Sequence, residues 1–307
     1  MNILNLVNLI ILLFAPFLVI GVIKKTKAFW SGRKGVSIWQ PLWDFVRLMK
    51  KDCVISNTTT WIFKIAPLVI FATTLLAGLF VPMINGQSIV NLEGGFILFS
   101  YILGLGKFFA LISAMDTGSS FEGMGASREA CFTTIVEPAF FIIMASLIAL
   151  TGNYTFQSLS MILEKAGVMG ILITLLAVLA LVVMLLTECC RVPVDDPTTH
   201  LELTMIHEVM ILDNSGQDLA LITWAAGMKM VILESLIAAL LIPMHLWGFW
   251  YSSLAYIAAL FLIALFVGTL ESCIARLRMS HVFEFIFAMS SFALIILSLT
   301  AIKIYGN

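Results

Sequence analysis

The sequence predicts an all-α integral membrane protein with about eight transmembrane helices, an amphipathic interfacial helix and a short helix in a cytoplasmic loop. Of its 307 residues, 61% are hydrophobic and only 11% are charged, whereas a soluble domain carries roughly 25% charged residues. Eight apolar runs reach the length of about 20 residues that a helix needs to cross a bilayer core of about 30 Å. We therefore expect a single polytopic membrane domain over residues 1–307.

These apolar runs are bounded by polar or turn residues, as expected for helices that end at a membrane surface. They lie at Ile3–Ile23, Trp61–Ile84, Phe96–Ala114, Ala130–Leu150, Gly167–Thr187, Leu219–Pro243, Trp250–Leu270 and Val282–Ala301. The first run has no basic residue before it and no small-residue cleavage site after it. It is therefore expected to be a retained span and not a signal peptide.

The basic residues predict the orientation of the spans, because cytoplasmic loops retain positive charge. Connections that follow odd-numbered spans hold twelve Lys and Arg, and the opposite side holds only Lys165 and Lys303. The cytoplasmic connections are therefore expected at residues 24–60, 115–129, 188–218 and 271–281. Both chain termini should lie outside.

Charge and cysteine content exclude other classes of function. The formal net charge is -1, so no basic surplus exists to neutralise the phosphates of a nucleic acid. Five cysteines show no C-x-x-C spacing, and the adjacent pair Cys189 and Cys190 is too strained for an ordinary disulfide. We expect five free thiols and no metal or cofactor bound by this chain.

The first cytoplasmic connection contains an amphipathic stretch, in which the apolar residues fall on one helical face. These residues are Trp39, Leu42, Trp43, Val46 and Met49. Two interpretations stay open, because the helix is either a simple anchor that its Lys and Arg attract to anionic lipid or a functional element of the protein.

Ionisable residues inside the spans are informative, because each costs at least about 2.5 to 3.5 kcal/mol at the bilayer centre. Glu137 lies one or two turns inside the fourth span beside Pro138, which favours a kinked helix on an ion path over a purely structural carboxylate. Lys229 and Glu234 do not face each other on the sixth span, so each should have a partner on another helix. Lys107 in the third span is a further candidate, which is weighted lower because a Lys this near the cytoplasmic end can extend to the headgroups.

The connection 188–218 is strongly acidic, with seven carboxylates against the single Arg191. Asp196 before Pro197 predicts the start of a short helix that runs to about Leu212. Two His and one Glu on one face of this helix do not match the H-E-x-x-H spacing of zinc sites. A proton relay is therefore favoured over a metal site.

Several motifs resemble the family that contains complex I subunit 1 and formate hydrogenlyase subunit 4. Residues 40–48 read Q-P-L-W-D-F-V-R-L and are similar to the stretch after the first span of complex I subunit 1. The formate hydrogenlyase signature is matched by D-T-G-S-S-F at 116–121, G-A-S-R-E-A at 125–130, V-E-P at 136–138 and A-R-L-R at 275–278. Residues 188–197 follow the family pattern E-x-x-R-x-P-F-D-x-P, with Val194 in place of the Phe.

The resemblance implies a non-catalytic membrane-arm subunit of a group 4 nickel-iron hydrogenase-type complex in the inner (cytoplasmic) membrane. Such a subunit docks a hydrophilic electron-transfer arm and couples its redox chemistry to proton or sodium translocation. The implied partners are hydrogenase-like large and small subunits, an iron-sulfur subunit, antiporter-like membrane subunits and lipid. Iron-sulfur clusters, and a nickel-iron centre if it is retained, would be bound by partner chains.

The family pattern and the charges together assign two sets of residues. The proton pathway is assigned to Glu137, Glu188, Asp195, Glu202, Glu208, Lys229 and Glu234. Docking of the arm or lining of a cavity is assigned to Arg33, Lys34, Asp44, Asp116, Arg128, Arg191 and His200. Thr198 and His200 depart from the acidic run of complex I subunit 1 and favour the hydrogenase-like branch. A quinone-site subunit of a complex I relative and a passive membrane anchor stay open as alternatives.

Overall fold

The computed structural model describes residues 3–162, 167–195 and 205–305. Within these ranges the chain forms ten α-helices, joined by loops and three short 3₁₀ helices. The α-helices are α1 (Ile3–Trp30), α2 (Gln40–Met49), α3 (Trp61–Gly78), α4 (Gly95–Asp116), α5 (Ser120–Thr151), α6 (Gly167–Glu188), α7 (His207–Met210), α8 (Gly216–Leu241), α9 (Phe249–Cys273) and α10 (Met279–Tyr305). The 3₁₀ helices are Ile84–Gly86, Phe156–Met161 and Met244–Leu246.

Eight of these helices are long and apolar enough to cross a membrane, which confirms the predicted number of spans. The helix α5 differs most from its predicted bounds, because it begins at Ser120 and passes through Pro138 without interruption. The prediction of a long loop over 115–129 was therefore wrong, since residues 120–129 belong to this helix. Glu137 consequently lies about half way along a helix of 32 residues.

The predicted loop helix ending near Leu212 was also wrong in its extent. In the described residues after 204, Met205 and Ile206 are not helical, and α7 has only four residues. Asp196 and Pro197, which were expected to start this helix, lie outside the described residues. The described residues of the connection between α6 and α8 are mostly buried, and α7 packs against α5.

The helix α8 lies at the centre of the bundle and contacts α1, α3 and α6. Within its most apolar window 78% of the residues are buried, whereas the corresponding value for α4 is 17%. Small residues permit the close packing around α8, since a Cβ on Gly227 would lie 3.0 Å from the side chains of Pro16 and Ile20 in α1. The residues of α8 are thus positioned to form the interior of a membrane protein.

The predicted amphipathic helix forms as α2 and packs on α1 and α8. Phe45 faces inward, with its ring centroid 5.4 Å from that of Phe17 and 4.8 Å from that of Trp224. Trp39 and Trp43 are exposed on the opposite side. The helix therefore covers one end of the bundle and presents tryptophans outward, as an interfacial helix does.

Candidate functional site

A buried carboxylate joins three membrane-spanning helices at the centre of the candidate site. Glu188, the last residue of α6, lies with its Oε2 atom 2.7 Å from Nζ of Lys229 on α8. Nζ of Lys107 on α4 donates a hydrogen bond to the other oxygen, Oε1. The ion pairs confirm the expectation that Lys229 has a partner on another helix. Lys107, which was weighted lower because such a lysine can extend to the headgroups, instead has a side chain that is only 12% exposed.

The helix α5 adds a second carboxylate to this cluster. Nζ of Lys107 lies 3.6 Å from Oε1 of Glu129 and donates a hydrogen bond of 2.8 Å to Oγ1 of Thr133. Lys107, Lys229, Glu129 and Glu188 therefore form a group with two positive and two negative charges, which we call the charged cluster. Mutual pairing offsets part of the desolvation free energy that each charge would cost if it were buried alone.

A small cavity of about 90 Å³ lies against the charged cluster and contains polar atoms at its walls. All four residues of the cluster line it, together with His207 and Asn214. Oδ1 of Asn214 is buried and has no hydrogen-bond partner among the described residues. Because a water needs only about 10–15 Å³ of such volume and several polar partners, the cavity has room for several waters.

A larger cavity of about 390 Å³ lies beside it, beneath α2 and between α1 and α8. Its walls combine aromatic rings, such as Phe17, Phe45 and Trp224, with charged groups. The charged or titratable residues on its wall are Lys24, Lys27, Asp44, Cys189, Cys190, Arg191, Asp195, His207 and Glu208. Four residues line both cavities, namely Cys189, His207, Ile211 and Ala226. His207 thus stands on the wall that separates the two spaces.

A second set of ion pairs lies at the large cavity. Glu271 on α9 has a fully buried side chain, with Oε2 2.9 Å from Nζ of Lys27 and Oε1 3.4 Å from Nη1 of Arg191. Arg191 was expected to line a cavity, and the structure places it there. Glu271 was expected only as the first residue of a cytoplasmic loop, because a carboxylate at a helix end gives no signal of its distant partners.

The other residues assigned to the proton pathway are dispersed. Asp195 is 1% exposed, with Oδ1 2.9 Å from Nη2 of Arg276, and its Oδ2 accepts a hydrogen bond of 2.8 Å from the amide of Ile206. Glu208 lines the large cavity. Glu234 is fully buried in α8, and neither carboxylate oxygen has a hydrogen-bond partner among the described residues, so the partner predicted for it on another helix is not found there. Glu202 lies outside the described residues.

Glu137 lies close enough to the charged cluster to interact electrostatically with Lys107, Glu188 and Lys229, but it does not pair with them. It is half-buried in a groove between α4 and α5, and it makes no hydrogen bond or ion pair of 4 Å or less with any described residue. Its position near the middle of α5 agrees with a residue at membrane depth. The structure therefore places Glu137 at an outward-facing surface of the bundle.

The residues assigned to docking or to a cavity also have different surroundings. Arg33 and Lys34 are exposed, and Asp44 lines the large cavity. Asp116 lines neither of the two cavities. It accepts hydrogen bonds from the amide and hydroxyl of Thr60 at the start of α3. Nη1 of Arg128 donates a hydrogen bond of 3.0 Å to the carbonyl of Met205. His200 lies outside the described residues.

The adjacent thiols lie directly after Glu188 and are both free. Burial raises the pKa of Cys189 to about 12, and burial together with nearby Glu129 raises the pKa of Cys190 well above its usual value. Both side chains are therefore held as neutral thiols at physiological pH. They surround the cluster with weakly polar groups and add no further charge to it.

Sequence reasoning missed Glu129 and Glu271 and gave Lys107 too little weight. Glu129 stood in a stretch interpreted as a loop, although its position within the motif G-A-S-R-E-A was a usable signal. Lys107 is the only Lys or Arg within its span, and a charge inside an apolar run indicates a buried partner. Which partner each residue meets depends on the packing of helices that are distant in sequence.

This arrangement of eight membrane-length helices around buried ion pairs defines a polytopic membrane protein with an intramembrane charged site. The chain belongs to the NADH dehydrogenase family, whose family profile matches residues 1–302. It is 32% identical to hydrogenase-4 component C of Escherichia coli (strain K12) over 238 residues, 78% of this chain and 74% of the relative. It is 24% identical to formate hydrogenlyase subunit 4 of the same organism over 283 residues, 89% of this chain and 90% of the relative.

A more distant relative and a solved structure agree with this membership. NADH-ubiquinone oxidoreductase chain 1 of Triticum aestivum is 26% identical over 234 residues, 74% of this chain and 70% of its own length. A chain of an archaeal respiratory membrane complex, the membrane-bound sulfane sulfur reductase, matches with a TM-score of 0.78 and 17% identity. The match covers 96% of this chain and 98% of that chain, so the fold is shared over almost the full length.

Proposed function

We propose that this chain is a membrane subunit of a group 4 hydrogenase-like redox complex in the inner (cytoplasmic) membrane. It holds a hydrophilic electron-transfer arm on the bilayer and transfers protons between its large cavity and the membrane interior. Iron-sulfur clusters, and a nickel-iron centre where one is retained, are bound by the partner arm, and antiporter-like subunits are the membrane partners. The only bonds that this chain itself makes and breaks are those to the protons that it transfers.

The observation that carries this proposal is the position of the charged cluster beside two cavities with a shared wall. Proton transfer requires groups that release and accept protons in turn, and water that links these groups. Glu188 between Lys107 and Lys229 supplies such groups, and the small cavity has room for the water. A passive anchor has no need for four buried charges, each of which costs free energy to insert.

Reconstituted vesicles provide the test. The purified complex with Lys229→Met should retain electron transfer between artificial donors and acceptors but lose most of its acidification of the vesicle lumen. Lys64→Met, which alters an exposed lysine in α3, is the matched control and should leave both activities near those of the unaltered complex. Unchanged proton movement in Lys229→Met would contradict the assignment of the cluster, and sodium movement in its place would identify the other coupling ion.

A second candidate function is quinone binding in the large cavity. Its aromatic wall and the guanidinium of Arg191 suit a flat, partly polar ring. This candidate predicts that added quinone accepts electrons from the complex and that Phe45→Ala raises the quinone KM with little effect on artificial acceptors. Electron transfer that does not respond to quinone or to this variant would exclude it.

A further inference from the structure

The outward face of α4 carries a regular row of large apolar side chains. They recur at alternating intervals of three and four residues, which is the spacing that packs a second helix along a left-handed crossing. The row consists of Leu98, Tyr101, Leu105, Phe108, Ile112 and Met115. Tyr101 is 70% exposed and Phe108 is 55% exposed, and α4 is the least buried of the eight long helices. We call this row the α4 seam.

A groove beside the α4 seam contains a carboxylate. The groove has a volume of about 270 Å³ and lies between α4 and α5, with Glu137 on one wall and Gly104 on the other. A Cβ at Gly104 would have only one neighbour within 4 Å, Oε1 of Glu137 at 3.7 Å. The absent side chain therefore leaves a hollow that reaches the carboxylate from outside the bundle.

Glu137 needs a hydrogen-bond donor that the described part of this chain does not supply. Charged or strongly polar side chains at membrane depth are costly, and they normally face a partner or water. Among the described residues no side chain or backbone group forms a hydrogen bond or an ion pair of 4 Å or less with Glu137, although it lies half way along α5. An acyl chain could fill the apolar groove but has no donor for the carboxylate.

We propose that a transmembrane helix of another subunit packs along the α4 seam and brings a hydrogen-bond donor to Glu137. A second copy of this chain on the same seam would place two carboxylates together, and such like charges repel. A helix with a lysine, hydroxyl or histidine side chain at the level of Glu137 complements both the seam and the charge. This inference rests on the proposed function in one respect, since it requires a complex with further membrane subunits.

Filling the hollow tests the docking directly. Gly104→Leu should reduce the amount of neighbouring membrane subunit in the purified complex by about tenfold, which corresponds to about 1.4 kcal/mol, because overpacking an interface is destabilising. Gly123→Leu adds the same side chain to a helical glycine that also has open space around it, away from the seam, and should leave that amount unchanged. Equal retention of membrane subunits in both variants would overturn the proposal.

Photocrosslinking identifies the occupant without altering the hollow. In the intact complex, p-benzoylphenylalanine in place of Phe108 should form an adduct with a transmembrane segment of another subunit, mapped by mass spectrometry. The same substitution at Phe287, which is 54% exposed on α10, is the matched control. Adducts with lipid only, adducts with a second copy of this chain, or the same adduct from both positions would each overturn the proposal.

Two substitutions at Glu137 separate docking from proton transfer. Glu137→Gln keeps a hydrogen-bond acceptor and should retain the neighbouring subunit. Glu137→Leu removes the acceptor and should reduce the amount of that subunit in the purified complex about tenfold. Retention of the subunit in Glu137→Leu would overturn the donor contact. Loss of proton movement in Glu137→Gln with the subunit still bound would leave docking intact and concern only the proton pathway.

Discussion

Glu188 and Lys229 form an ion pair of 2.7 Å between α6 and α8, and Lys107 of α4 binds the second oxygen of the same carboxylate. One anion thus connects three helices and balances one of two ammonium groups, while Glu129 lies within 3.6 Å of Lys107 to balance the other. The cluster therefore holds the helices together and is also the candidate route for protons. These two roles can be separated by experiment.

Removal of the Glu188 charge should destabilise the protein strongly. Glu188→Gln leaves two buried ammonium groups against one carboxylate, and an uncompensated buried charge costs about 3–5 kcal/mol. The double variant Glu188→Gln with Lys107→Gln restores the balance between Lys229 and Glu129, so it should recover a large part of this loss. Thermal unfolding midpoints of the purified complex, compared as a double-mutant cycle, measure the coupling.

Proton movement gives the second readout for these variants. Both the single and the double variant should lose most lumen acidification in vesicles, because each lacks the carboxylate that links the two lysines. Additive effects on the unfolding midpoint, or a double variant that transports protons normally, would contradict the assigned role of Glu188.

His207 should control transfer between the two cavities. It lines both, and an imidazole can donate and accept a proton near neutral pH. His207→Leu should therefore lower the rate of coupled proton movement about 100-fold or more, a typical loss for a removed proton-transfer group. Electron transfer measured in the same vesicles should continue. Lys24→Met, which alters an exposed residue at the large cavity alone, is the comparison; an equal loss in both variants would show that the shared wall is not the controlling feature.

Asp116 should affect stability and not transport. Its carboxylate accepts hydrogen bonds from the amide of Thr60 at 2.7 Å and from the hydroxyl at 2.9 Å, at the residue that precedes α3. Asp116→Ala removes these contacts and should cost about 1 kcal/mol, equivalent to a fall of about 2–4 °C in the unfolding midpoint. Asp116→Asn keeps an acceptor and should lose less. A transport defect in Asp116→Ala at a temperature where the complex is intact would return Asp116 to the functional site.

The thiol of Cys189 should react slowly and with an unusual pH dependence. Burial raises its pKa to about 12, so only about one thiol in 10⁴ is ionised at pH 8, against roughly one in four for an unperturbed cysteine. In a variant whose only cysteine is Cys189, the rate of alkylation by iodoacetamide should rise about tenfold per pH unit between about pH 7 and 10.

A variant that retains only Cys53 serves as the reference for this measurement. A plateau in the Cys189 rate below about pH 10 would contradict the raised pKa. The raised pKa of Cys189 also makes the free energy of unfolding depend on pH. The buried neutral thiol stabilises the fold fully below the unfolded-state pKa of about 8.5. That contribution declines as the pH rises above this value, because the unfolded chain then ionises first.

The class of protein, the eight spans and the family could all be predicted from the amino-acid sequence. Transmembrane helices can be found from sequence because the length and polarity of each run are set by the bilayer, not by neighbouring helices. Helix ends were less well predicted, as α5 shows: Ser120 to Glu129 is polar enough to read as a loop, yet it extends a helix beyond the apolar core. The site residues Glu188, Arg191 and Lys229 could be selected because charge near or within the membrane is rare.

Only the tertiary structure decided which charges meet. Lys107, Glu129, Glu188 and Lys229 come from four helices, so their pairing depends on the order and rotation of helices around α8. The same packing directs the side chain of Glu137 into the groove between α4 and α5, where it forms no ion pair with the cluster, although its sequence context resembles that of a pathway residue. A periodic pattern specifies which residues share a helix face. Which neighbouring helix packs against that face is set by contacts between segments far apart in the chain.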